Sequence, residues 1–117
     1  MGTWDTYIGG NSAFEILGSD GYNTGVGRRT FANSLVGTNN SFFGNTTGSD
    51  SPTGIGDYNS MYGSESLSET DAIDRNSGFG YRAFDNVTSG NIGSDNTAIG
   101  SLSGKSTSGD IDIGKRS

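Results

Sequence analysis

The side chains of this 117-residue chain whose chemistry is easiest to name are carboxylates. Asp71 with Asp74, and Asp110 with Asp112, are acid pairs of the kind that cleave glycosides when two carboxyls are held at a set separation. Asp20, Asp50 and Asp95 recur in Gly-Ser-Asp phrases and offer oxygens of the type calcium takes. Neither chemistry is well served. Calcium gathers several carboxylates at one place, whereas these acids are scattered along the chain, and the Gly-Gly-x-Gly-x-Asp nonapeptide of calcium-binding β-rolls is absent. Both acid pairs sit among turn and repeat residues, where Asp ordinarily closes turns. The chain has no His and no Cys, so it lacks imidazole bases, thiol nucleophiles and two of the common metal ligands. The expectation is a protein that is not an enzyme, with no catalytic residue, no cofactor and no bound metal.

Recognition is better provided for. Trp4, Tyr22, Tyr58 and Tyr81 carry an apolar face and a polar handle, the combination over-represented at contacts, and are the candidate receptor-binding or partner-binding residues. The formal charge is −6, and the seven Lys and Arg residues form no run longer than Arg28-Arg29 or Lys115-Arg116. A phosphate backbone requires a concentrated positive face, so no nucleic acid partner is expected. The apolar runs are far too short for a signal-peptide core or for membrane insertion.

The element that must position these groups is a repeat. A five-residue phrase, Asn, hydroxyl, any residue, apolar, Gly, stands at Asn23 to Gly27, Asn40 to Gly44, Asn59 to Gly63, Asn76 to Gly80 and Asn96 to Gly100. Looser copies beginning at Asp5 and Asp110 make the successive steps 18, 17, 19, 17, 20 and 14 residues. Self-similarity at nearly constant spacing is the mark of a stacked solenoid. Within it lies a finer step: Val36-Gly37, Ile55-Gly56 and Ile92-Gly93 each precede the next apolar-Gly pair by seven residues. Gly at every step, with Ser, Thr and Asn between, is poor helix-forming material, so two short strands per coil fit better than a heptad. The spacing predicts about six to seven coils in one domain spanning residues 1–117, with 1–4 as a lead-in and 115–117 as a tail.

Two apolar rows follow the period. The residue before each repeat Gly is read as core: Ile8, Val26, Phe43, Tyr62, Phe79, Ile99 and Ile113. A second row stands four or five residues beyond that Gly: Phe14, Phe31, Leu67 and Phe84. The repeat Gly is read as a corner, where a left-handed backbone bends the chain. The Asn column is read as a stacked amide ladder. Arg29 and Arg82, at equivalent repeat positions, are expected to pair with acids of neighbouring coils or chains.

Only 29% of the residues are hydrophobic, and Gly, Ser, Thr and Asn make up 62 of the 117. So small an apolar supply ordinarily needs staples, metals or oligomerisation. With no Cys for disulfides and no metal cage, association between copies remains. One apolar row can then be buried inside the coil and the other against partner chains, hidden by closed rotational symmetry.

Asn96-Thr-Ala-Ile-Gly100, together with Asn45-Thr-Thr-Gly48, resembles the repeats of phage and bacterial fibre proteins and the head repeats of trimeric autotransporter adhesins. The resemblance covers the chain from Asp5 to Gly114. It implies an all-β fold, a parallel β-solenoid of the left-handed β-roll type, packed as a homotrimer. It further implies a structural or adhesive module of a phage tail or head fibre, located on the virion, touching other virion or fibre proteins and a host cell-surface glycan or protein. A virion cement or connector protein, or an adhesin head on a bacterial surface, is the alternative. The coils here are longer and less regular than compact adhesin coils, and no coiled-coil stalk follows, which favours the virion.

Overall fold

In a computed structural model, residues 4–13, 15, 17–51, 53–68, 74–85 and 94–104 are described. Their regular structure is all strand, and every pairing is parallel. One sheet stacks six three-residue strands, one from each of the first six copies of the phrase, in the order β1 (Thr6–Ile8), β3 (Thr24–Val26), β5 (Ser41–Phe43), β6 (Ser60–Tyr62), β7 (Ser77–Phe79) and β8 (Thr97–Ile99), the copy at Asp110 lying outside the described residues. The register never slips: Thr6, Thr24, Ser41, Ser60, Ser77 and Thr97 are successive partners. A second sheet pairs β2 (Gly18–Gly21) with β4 (Leu35–Thr38), and Val36 bridges onward to Ile55. The chain is therefore a β-solenoid, 37 Å long and 20 Å across. The seven-residue step is the passage from the second wall to the first, as from β4 to β5. Gly18 to Gly21, a turn by composition, is instead strand β2.

The Asn column fixes which way every side chain of the first sheet points. Asn23, Asn40, Asn59 and Asn76 are fully buried and Asn96 nearly so. Each side-chain Oδ1 accepts the backbone N–H of the Asn in the next coil, at 3.0, 2.9, 2.9 and 2.8 Å. Asn40 and Asn59 also donate Nδ2–H to the preceding Oδ1, both at 3.1 Å. At the first coil Asp5 takes the same place, its Oδ1 accepting from Asn23 N at 2.9 Å. A buried amide is tolerated only when its hydrogen bonds are made, and here one coil supplies the next.

Strand alternation then overturns half of the expected core. With Asn inward, the hydroxyl residue points out, the third residue in and the fourth out. The residues actually enclosed are Phe42, Met61 and Ala98, with Tyr7 half-buried and Gly25 and Gly78 at the same position. The expected row before Gly lies outside: Ile8 is 59% exposed, Ile99 72%, Tyr62 40% and Phe79 41%, while Val26 and Phe43 are half-buried. The second expected row is interior, with Phe31, Leu67 and Phe84 fully buried. Phe14 and Ile113 lie outside the described residues.

In three coils the two inward positions complement one another in size. Gly25 faces Phe31, Phe42 faces Gly48, and Gly78 faces Phe84; a Cβ on Gly25 would stand 2.9 Å from the Phe31 ring, and one on Gly48 would overlap the ring of Phe42. In these three coils one large side chain, from one side or the other, fills the space. Phe31 and Phe42, from opposite walls of adjacent coils, meet with ring centroids 4.4 Å apart.

The corner glycines have φ between +124° and +148° at Gly9, Gly27, Gly44, Gly63, Gly80 and Gly100. A Cβ at Gly27, Gly44 or Gly63 would collide with the carbonyl of the corner above, so no other residue fits. Beyond each corner, alternate residues take the left-handed conformation, as at Arg29, Phe31 and Asn33, or Thr46, Gly48 and Asp50. Their N–H groups donate alternately to the coils on either side: Thr46 to Arg28 O at 2.7 Å, Gly48 to Ser66 O at 2.9 Å, Asp50 to Ala32 O at 2.8 Å. A left-handed residue with a Cβ costs about 1 kcal/mol, and these bonds offset it.

Candidate functional site

Two outward surfaces follow from this geometry. The first is the outer face of the six-stranded sheet. Its two columns are the hydroxyls Thr6, Thr24, Ser41, Ser60, Ser77 and Thr97, and the apolar column from Ile8 to Ile99. Because strand spacing is fixed, equivalent rings must stack. Phe43 lies on Tyr62 and Tyr62 on Phe79, each pair with centroids 5.0 Å apart and planes 2° from parallel. No charged residue belongs to either column.

The second surface is a hollow of about 380 Å³ on the outside of the other wall. Gly37, Gly56, Leu35, Asp20 and Asp57 line it, with Asp20 beside Gly37 in the strand register and the Asp57 carboxylate over Gly37. The Asp57 carboxylate is held in place, since its Oδ1 accepts Thr38 N–H at 2.7 Å. The Asp57 N–H in turn donates to Asp74 Oδ1 at 2.8 Å. The repeated apolar-Gly pairs Val36-Gly37 and Ile55-Gly56 mark this wall in the sequence: the apolar residue is inward and the Gly, one position on, makes room on the outer surface, which at Gly37 the Asp57 carboxylate fills, its Oδ1 standing where a Cβ would.

The aromatic candidates divide between two places. Trp4, Tyr22 and Tyr58 precede successive or alternate copies of the phrase and so occupy one column, together with Asn39, Arg75 and Asp95. All six have φ between +54° and +69°. Trp4 is 74% exposed, Tyr22 and Tyr58 59% each. Asn tolerates this backbone, whereas each aromatic costs about 1 kcal/mol more and regains little by packing. Tyr22 comes two residues after Asp20, and Tyr58 directly follows Asp57, so the column borders the hollow. Tyr81 stands apart, just past a corner, where the Arg82 guanidinium lies 5.7 Å from its ring centroid.

Several charges pair, most of them between coils and Arg82 with Asp85 within one. Arg29 meets Asp50 at 3.5 Å, and Arg82 meets Glu65 at 2.8 Å and Asp85 at 3.1 Å. Arg75 donates to both oxygens of Asp95, at 2.7 and 3.0 Å, which holds the Asp95 carboxyl below the usual carboxylate range. Of the three Gly-Ser-Asp acids, Asp50 and Asp95 thus serve arginines, and Asp20 is on the hollow. Among the described residues no group of three or more acids is placed to hold a metal ion. Asp74 is engaged with the Asp57 backbone, while Asp71, Asp110 and Asp112 lie outside the described residues. Also among the described residues, no helix is long and apolar enough to cross a membrane.

Compared with family models, with curated proteins and with solved structures, the chain matches none.

Proposed function

We propose that this chain is a non-enzymatic structural and adhesive module of a phage tail or head fibre, in which three copies stand side by side as a rigid spacer that presents a recognition surface. In this reading the solenoid is a left-handed roll of six to seven coils, counting those at the ends. The observation that carries the proposal is the uncharged outer face of the six-stranded sheet. An outward apolar column of six residues at constant spacing, four of them exposed and two half-buried, is unusual for a solitary chain. A neighbour with the same spacing covers it best, and a copy of this chain has that spacing by construction. The face also lacks charge, which lets chains of net charge −6 approach without placing like charges in contact.

Light scattering tests it on the full chain. A three-chain mass is expected, falling to a one-chain mass in Phe43→Lys/Phe79→Lys with the strand circular dichroism unchanged. A well-folded monomeric wild type overturns the proposal. A virion connector would share the assembly and bind no cells, so labelled trimer applied to host cells separates the adhesive from the purely structural reading.

A further inference from the structure

We infer that the hollow lined by Gly37 and Gly56, with the bordering column of Trp4, Tyr22 and Tyr58, is a binding site for a neutral oligosaccharide lying along the solenoid axis. The inference rests on the adhesive reading above and names the ligand class of that surface.

Three independent observations converge. The hollow's volume of about 380 Å³ lies in the range of small-ligand sites, and the Asp57 carboxylate, lying over Gly37, places acceptor oxygens in it. Leu35, 39% exposed, lines it together with the carboxylates Asp20 and Asp57. Sugars offer one apolar face and a rim of hydroxyl donors, which match an apolar side and acceptor oxygens. Finally, three exposed aromatics occupy a column whose backbone suits Asn. Tyr22 and Tyr58 are separated by one coil, hence by roughly 10 Å at ~4.8 Å per strand, enough to seat successive rings of a chain molecule.

Charge selects within the class. The residues lining the hollow include two carboxylates and no cation, Asp74 accepts the Asp57 N–H, and Arg75 of the bordering column is already paired with Asp95. Sialylated, sulfated or phosphorylated glycans would bring like charge to like charge, and that repulsion disfavours them. A neutral glycan meets no such penalty.

Trp4 is the single tryptophan and belongs to the column, so its fluorescence reports occupancy. The experiment titrates the full chain with neutral oligomers of glucose, galactose, mannose and N-acetylglucosamine, and with sialylated and sulfated counterparts. A saturable Trp4 response is expected for at least one neutral oligomer. It should weaken tenfold or more in Tyr22→Asn/Tyr58→Asn, variants whose backbone suits the new residue and whose melting temperature should be equal or higher. No saturation by any neutral oligomer, binding undiminished in the double variant, or a preference for anionic glycans overturns the inference. Light scattering on the same samples keeps the two proposals apart. A trimer that binds no glycan sinks the ligand assignment alone, and a monomer that binds one sinks the assembly alone.

Discussion

Phe42 fills the space that Gly48 leaves empty on the opposite wall of its coil, and one coil earlier Phe31 fills the space left by Gly25, so the large residue has changed walls. Two adjacent coils thus hold one large and one small inward residue in opposite arrangements, while Met61 with Leu67 supplies two medium side chains and Ala98 with Gly104 two small ones.

Exchanging the pair tests this. Phe42→Gly alone should destabilise by about 3–5 kcal/mol through the cavity it leaves, and Gly48→Phe alone by about 1–3 kcal/mol through overpacking. Gly48 has φ +63°, close to the +57° and +55° at which Phe31 and Phe84 already sit, so the backbone there accepts Phe. Phe42→Gly/Gly48→Phe should recover most of the loss, read as the urea midpoint. A double variant as unstable as the sum of the singles would refute volume exchange.

The amide ladder makes a different prediction. Asn59 is fully buried, receives Asn76 N–H and donates to Asn40. Asn59→Leu keeps the branched four-atom shape of the side chain and removes both bonds, so that the Asn76 N–H loses its acceptor while Asn40 Oδ1 keeps the Asn59 backbone N–H. A loss of about 2–4 kcal/mol is expected, measured by denaturant unfolding. Asn39→Ala, on the exposed neighbouring column, is the control and should cost only about 1 kcal/mol, through its left-handed backbone.

Alkali should act on the first coils. The Tyr7 hydroxyl donates to Ser19 Oγ at 3.4 Å, and Ser19 Oγ–H donates to Asp5 Oδ2 at 2.7 Å. Burial, more than the nearby Asp5 carboxylate, pushes the Tyr7 phenol up from 10.0 to about 12. The folded state therefore keeps a proton that the unfolded chain loses first. The stability associated with neutral Tyr7 is fully present below pH 10 and falls between pH 10 and 12. Unfolding midpoints across that window should drop in the wild type and drop less in Tyr7→Phe.

Much of this architecture is legible in the residues themselves. The corner glycines, the Asn ladder, the interior positions of Phe31, Leu67 and Phe84, and the Arg29 and Arg82 pairs between coils all follow from type and spacing. The orientation of the first sheet does not follow from hydrophobicity. The residue before each Gly is the most consistently apolar in the phrase, yet it faces out, because the buried amide two strand positions from the true core residue sets the parity. The interior position, held by Tyr7, Gly25, Phe42, Met61, Gly78 and Ala98, varies too much in size to look like a core until its partner across the coil is known. The hollow was hidden for a related reason. Gly37 and Gly56 look like further corners, and only the pairing of Val36 with Ile55 shows them as the outer surface of a wall.

The hydrogen bonds between coils give this rod a particular mechanical character. Ladder and backbone bonds alike link each coil only to its neighbours, so tension applied at the two ends passes through the coil junctions in series. The pulling strength is that of the weakest junction, and lengthening the rod adds reach without adding strength. A bundle of copies would be stronger because it places junctions in parallel.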